Sequence, residues 1–291
     1  MTLTSYLIRN KLHLSILSAL GAAAWSMYFG VEVNWWAILT VFFLTFSIYQ
    51  YNRLTDDVED SANDPDSFQD AKKNEILITY VSFYLLSALS LIIAYQFGMM
   101  AFWVTLGIEI IGFLYNHKCF PDFLSNMLGG ARRFKDIYVV KNLTPPIDWA
   151  TALVFLPLIF ANEPLTLQAW ICWAYVFLCT FFIEVMWDMR DRHGDLISGI
   201  KTIANSFSLY KTKVILNTLN AASGIGIMLA TYKGVLPQVS YFLLSNNVAV
   251  MLIASAYKEE KAHAMRKISD MTIFLAGMLF LSFGFIAYFS H

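Results

Sequence analysis

Apolar residues run through this chain in long blocks, separated by short polar segments. The blocks fall at 13–30, 34–51, 76–96, 99–116, 145–161, 167–187, 212–231, 235–257 and 270–289. A bilayer core about 30 Å thick is crossed by about 20 residues of helix. Hydrocarbon offers no water to an open backbone, so each block predicts a spanning helix. The expectation is an all-α, polytopic bundle of nine transmembrane helices, forming a single domain over 1–291. Arg9 and Lys11 before the first apolar block resemble a signal peptide. The block is long enough to stay as a spanning helix, and the nine-helix topology uses it.

Charge supports the count. With nine spans, the N-terminus and the segments 52–75, 117–144, 188–211 and 258–269 share one face. Together with Lys213 they hold 19 of the 20 Lys and Arg residues; Lys233 is the exception. Positive residues mark the cytoplasmic side, so the N-terminus is expected there and the C-terminus outside. The opposite loops are too short for a second domain. Chemistry is therefore expected in a cap at the cytoplasmic end of the bundle.

Composition agrees. Hydrophobic residues make up 58% of the chain and charged residues 14%, against about 25% charged in a soluble domain. The net charge of -1 gives no reason to expect nucleic acid as a partner. Cys119, Cys172 and Cys179 form no CxxC pair and read as free thiols.

Two acidic stretches interrupt this pattern, each directly after a span. In "NRLTDDVED", Asn52, Asp56 and Asp60 stand at i, i+4 and i+8. In "EVMWDMRDRHGD", Asp188, Asp191 and Asp195 stand at i, i+3 and i+7, with Glu184 one turn deeper. Either set lines one face of a helix. Ordinary solvated helix ends would also carry acids, but carboxylates at membrane depth are expensive and mark function. Neither stretch has enough neighbouring cations in sequence to neutralise it. Facing carboxylates with no His or Cys cluster suit a hard divalent cation, Mg²⁺ above all, bound with substrate phosphates.

An N-x3-D-x3-D pattern after the second span and a D-x2-D-x3-D pattern after the sixth resemble the UbiA superfamily of intramembrane prenyltransferases. "GIKTIA" after the second motif, "LYNHK" at the end of the fourth span and the basic loop "RRFKDIYVVKNL" resemble the same family. The likeness spans most of the chain. It implies ionisation of a prenyl diphosphate with Mg²⁺ and transfer of the prenyl group to a lipophilic acceptor within the lipid bilayer. Asn52, Asp56, Asp60, Asp188, Asp191 and Asp195 are then the metal ligands and catalytic set. Arg132, Lys135, Lys141 and Lys201 are candidates to grip the diphosphate. Tyr51, Tyr115 and Asn116 are placed near the substrate, and Glu109 and Glu184 could orient an acceptor. The chain departs from the family at Arg53, where many members have an acid. It also lacks the family's Arg-Pro pair after the first motif, having "NDPDSFQDAKKNE" instead. A terpene cyclase on the same scaffold would share the metal site and quench the cation internally. A non-enzymatic cation carrier would need acids along a route across the bilayer, and the acids gather at one end.

Overall fold

The computed structural model describes residues 11–55, 76–197, 199–261 and 282–289, and every regular element among them is helical. In chain order these are α1 (Leu12–Tyr28), α2 (Trp35–Thr55), α3 (Ile76–Gln96), α4 (Met99–Asn116), the short α5 (Asp122–Met127), α6 (Val140–Phe160), α7 (Leu167–Ile197), the single turn α8 (Ile203–Ser206), α9 (Leu209–Tyr232), α10 (Gln238–Ala256, opening as a 3₁₀ turn) and α11 (282–288). Six of them, α3, α4, α6, α7, α9 and α10, are long and apolar enough to cross a membrane. α1 is apolar but shorter, and α2 spans 21 residues. The ninth predicted span, 270–289, lies mostly outside the described residues.

Neighbours in sequence are neighbours in space. α1 packs on α2, α2 on α3 and α4, α6 on α7, α7 on α9, and α9 on α10. α11 closes the bundle against α1, where Phe283 stacks on Tyr28 and meets Trp25 edge-on. The approach is close enough that a Cβ on Gly284 would lie 2.8 Å from the Ala24 Cα, so only glycine fits. Large apolar side chains such as Leu77, Ile78, Tyr84 and Ile92 cover the outside of α3, the surface expected where lipid is the solvent.

The two boundaries that differ most from the sequence reading both concern the site. The fifth span begins at Val140 rather than residue 145, because the two prolines lie inside the helix. Pro145 has no N–H for the Lys141 carbonyl, and the Tyr115 hydroxyl donates to that carbonyl instead, at 3.2 Å. Further along, the helix passes through a π turn at Thr151–Phe155. The sixth span continues past residue 187 to Ile197, so the whole second acidic stretch is helical.

Glu109 lies mid-α4 and is buried. Its carboxylate accepts from Ser47 of α2 (3.1 Å) and from Ser87 (3.1 Å) and Ser90 (3.2 Å) of α3. This cage clamps three helices together, and Glu109 is not among the side chains that line the cavity described below. Glu109→Leu should lower stability by about 1–3 kcal/mol. The loss is bounded because Ser47 and Ser90 also bond carbonyls of their own helices, each at 2.8 Å. Glu109→Gln keeps an acceptor oxygen and should lose less. Thermal unfolding in detergent measures both, and equal melting of the Leu variant and wild type would refute the clamp.

Candidate active site at the acidic end of the bundle

One cavity of about 230 Å³ opens among α1, α2, α4, α6 and α7. Asn52, Tyr49 and Ile48 reach it from α2, and Tyr115, Asn116 and Gly112 from α4. α6 and the loop before it supply Lys135, Lys141, Thr144, Asp148 and Trp149. α7 supplies Glu184, Trp187, Asp188, Arg190, Asp191 and Asp195. The inner wall is apolar, with Leu14, Leu44, Ile108 and Ala152.

The second acidic stretch is arranged around a lysine. Lys141 Nζ lies 2.9 Å from Asp188 Oδ1 and 2.9 Å from Asp195 Oδ1. All three side chains are buried. Asn142 Nδ2 donates to the other oxygen of Asp188 at 2.5 Å. Asp191, the middle acid, is gripped in a fork by Arg190, at 3.0 and 2.8 Å. Arg190 in turn lies over the Trp187 ring, 5.6 Å from its centroid. For the second stretch, the expectation of un-neutralised acids is thus corrected. The principal cation comes from another helix, 54 residues away from Asp195, and local sequence cannot reveal it.

The approach to Lys141 is set by the loop before α6. Asp136 Oδ2 accepts from the backbone N–H groups of Arg132 and Arg133, and its Oδ1 from the Arg133 side chain. Partial burial works to raise the Asp136 carboxyl; these hydrogen bonds and the Arg133 charge outweigh it and hold the group below the usual carboxylate range. The chain then enters α6 through Val139 at φ 71°. A β-branched residue is strained there, and the surrounding contacts hold it so that Lys141 enters the acid pair.

The expected residues divide. Asn52, Lys135, Lys141, Tyr115, Asn116, Asp188, Asp191 and Asp195 line the cavity. Arg132 turns outward to Asp122 at 2.5 Å, with both side chains largely exposed. Lys201 is exposed and Tyr51 faces the other side of α2, so neither reaches the cavity. The Tyr51 hydroxyl pairs with His117 Nδ1 at 2.6 Å, and its ring stacks on Phe113. Asp56 and Asp60 lie outside the described residues; α2 is helical up to Thr55 and carries Asn52 into the cavity wall. Sequence reasoning missed Asn142, although it lies in the quoted "RRFKDIYVVKNL" beside Lys141, and Asp148. A signal for Asp148 existed: it is a lone acid seven residues after Lys141, on the same helix face.

A divalent cation is what the family resemblance implies here, and the donor chemistry fits one. Asn52 Oδ1 is buried with no hydrogen-bond partner among the described residues, and hard carboxylate oxygens of α7 line the same cavity. Among the described residues, no three His, Cys, Asp or Glu side chains converge on one point as a metal-binding group. Asp188 and Asp195 converge on Lys141 instead.

The UbiA prenyltransferase family model matches residues 12–278. The chain belongs to this family. It is an integral, multi-pass membrane protein with the prenyltransferase-type fold. A UbiA homolog from Archaeoglobus fulgidus, solved bound to GPP and Mg²⁺, superposes with a TM-score of 0.72 at 17% identity, covering 97% of this chain and 99% of that one. The apo structure of a UbiA homolog from Aeropyrum pernix K1 gives a TM-score of 0.69 at 15% identity, over 94% and 98%. A digeranylgeranylglyceryl phosphate synthase gives 0.62 at 14%, over 96% and 99%. No curated protein matches the chain.

Removing Lys141 should expose the electrostatics of the site. Lys141→Met leaves Asp188 and Asp195 buried without their cation, and breaking such a pair from one side costs about 3–5 kcal/mol. Adding Asp195→Asn should recover part of the loss by removing one of the stranded charges. Melting temperatures of the single and double variants measure this, and a double variant less stable than Lys141→Met contradicts the arrangement.

Proposed function

We propose that this UbiA-family protein is a Mg²⁺-dependent prenyltransferase, acting on an isoprenoid diphosphate and a lipophilic acceptor inside the membrane. One observation carries the reading: Asn52, Lys135, Lys141 and the acids of α7 line a single cavity with an apolar inner wall. A charged mouth above an oily interior suits a substrate with a diphosphate head and a hydrocarbon tail. The GPP and Mg²⁺ in the A. fulgidus homolog support the same substrate class.

In this reading, Asn52, Asp191 and Asp195 hold the metal, together with Asp56 and Asp60. When bound, Mg²⁺ supplies charge that stabilises the departing diphosphate. Lys135 and Lys141 grip the non-bridging oxygens. Asp188 would hold the metal as well; its oxygens are engaged by Lys141 and Asn142, as those of Asp195 are by Lys141 and those of Asp191 by Arg190. Tyr115 and Asn116 shape the wall beside the reacting carbon, and the apolar residues around it keep water from the allylic cation. Polar side chains deeper in the cavity favour transfer to an acceptor over internal cyclisation. The metal site lies at the cytoplasmic face, with the N-terminus cytoplasmic and the C-terminus outside, as the 19-to-1 distribution of basic residues indicates.

Asp191→Ala and Asp56→Ala should each lower kcat by about 10²–10³ or more, since each removes a group that acts as charge develops on the leaving diphosphate. EDTA should silence wild type, and added Mg²⁺ should restore it. The assay is prenyl transfer and pyrophosphate release with purified protein in detergent; full activity in EDTA defeats the reading. A reporter fused after His291 should be active outside the cytoplasm, and activity only inside would overturn the orientation.

A further inference from the structure

Asn142 stands directly behind the acids of the cavity. It lies in the first turn of α6, is fully buried, and is not among the side chains that line the cavity. Its Nδ2 donates to Asp188 Oδ2 at 2.5 Å. Its own Oδ1 is buried with no hydrogen-bond partner among the described residues. A buried acceptor left unpaired costs stability, and a leucine of similar size would carry no such cost. What the leucine would lack is the amide N–H aimed at Asp188. The reverse amide orientation would set two acceptor oxygens against each other, so only the donor can face Asp188. Packing holds it there: the next residue, Leu143, packs against the buried cluster that includes Phe182, Val185 and Met189 of α7. The other oxygen of Asp188 is engaged differently. Lys141 Nζ reaches it at 2.9 Å but also bonds Asp195, and Lys141 lines the cavity. A diphosphate in the cavity would compete for Lys141, whereas Asn142 lies out of its reach.

We propose that Asn142 is a positioning residue for metal binding: it holds Asp188 by one oxygen, so that the other stays turned toward the cavity when Lys141 leaves for the diphosphate. The inference rests on the metal and diphosphate reading above and adds a residue behind its ligand set. A carboxylate turns easily about its last side-chain bond, because that torsion has broad wells. With Lys141 gone and no second partner, Asp188 would spread over several orientations, and each arriving metal ion would have to order it again. Groups behind a metal ligand prevent this by fixing its direction. A neutral donor suits the task. A lysine or arginine in its place would put a second positive charge against the ligand and oppose the metal. An ionised aspartate would have no proton to offer. Asn142 therefore acts through Asp188 and touches neither metal nor substrate.

Metal binding is read directly, without turnover, by electron paramagnetic resonance of Mn²⁺ titrated into the full chain in nanodiscs. Geranyl S-thiolodiphosphate, an analogue with a poor leaving group, is present throughout. Asn142→Leu should weaken Mn²⁺ binding by about 10–100-fold, the usual effect of removing a group that orients a metal ligand. Asn142→Ser, whose hydroxyl falls short of Asp188, should weaken it in the same direction and serves if the leucine variant fails to fold. In an Asp188→Asn background, Asn142→Leu should cost nothing further, because the two residues act as one unit. Pyrophosphate release from GPP gives the kinetic counterpart. Asn142→Leu should raise the Mg²⁺ concentration needed for half the maximal rate, and at saturating Mg²⁺ the KM for GPP should match wild type. Mn²⁺ affinity unchanged in both variants, or a loss that persists undiminished in the Asp188→Asn background, would overturn the proposal. A fall in rate that no Mg²⁺ concentration relieves marks a merely structural role and overturns it too. Wild type that binds no Mn²⁺ removes the metal reading and this inference together. Wild type that binds Mn²⁺ in an Asn142-dependent way, yet releases no pyrophosphate and forms no product, removes the transferase reading and leaves this inference standing.

Discussion

The site depends on one lysine held between two buried aspartates. Lys141 opens α6 and Asp188 and Asp195 close α7, so the ion pair joins the entry of one helix to the exit of the next. Charges taken from water must be paired closely or the fold loses heavily. That demand accounts for the features clustered near Lys141. Pro145 frees its carbonyl and Tyr115 occupies it. Val139 accepts a strained backbone to bring the chain in, and Asp136 clasps the preceding loop through Arg132 and Arg133. Asn142 fills the remaining face of Asp188.

The same triad bears on how the proposed chemistry would proceed. A divalent cation and a diphosphate entering together bring opposite charges, and Lys141 and Arg190 are the side chains now bound to acids that line the cavity. In that reading each acid can exchange a protein cation for the metal, while each freed protein cation gains a phosphate oxygen. The cavity need never hold a large uncompensated charge. Lys141 then has two duties, as internal counter-ion before substrate arrives and as a diphosphate ligand afterwards. A simple row of carboxylates would repel itself in the interval.

Much of the fold was legible in the sequence because lipid imposes a coarse rule. Blocks of about 20 apolar residues predict helices, and α1, α3, α4 and α9 fall near their expected bounds. The start of α6 was not legible, since Pro145 and Pro146 argue against a helix that tertiary contacts nevertheless sustain. In the site, periodicity placed Asp188, Asp191 and Asp195 on one helix, and Asn52 reached the same cavity from α2. Long-range pairing was invisible: nothing near Asp188 in sequence announces Lys141 or Asn142. Direction was equally hidden. Arg132 and Lys135 are three residues apart, yet one turns outward to Asp122 and the other lines the cavity. Tyr51, adjacent to Asn52, belongs to the opposite face of α2, where His117 and Phe113 hold it.

The length of α7 ties these observations to the membrane. The helix has 31 residues, about 46 Å at 1.5 Å each, whereas about 20 residues cross the hydrocarbon. Counted from Leu167, that crossing ends near Met186. Glu184 therefore falls at the hydrocarbon boundary, and Asp188, Asp191 and Asp195 project beyond it on the same rod. A shorter helix would end before the acids, and their spacing would then depend on a loop. Continuing the helix fixes the spacing of three carboxylates on one rod, with Asp188 and Asp195 buried against Lys141. On the proposed function, this one rod meets both halves of the substrate: the diphosphate at its projecting end and the prenyl chain along its buried flank.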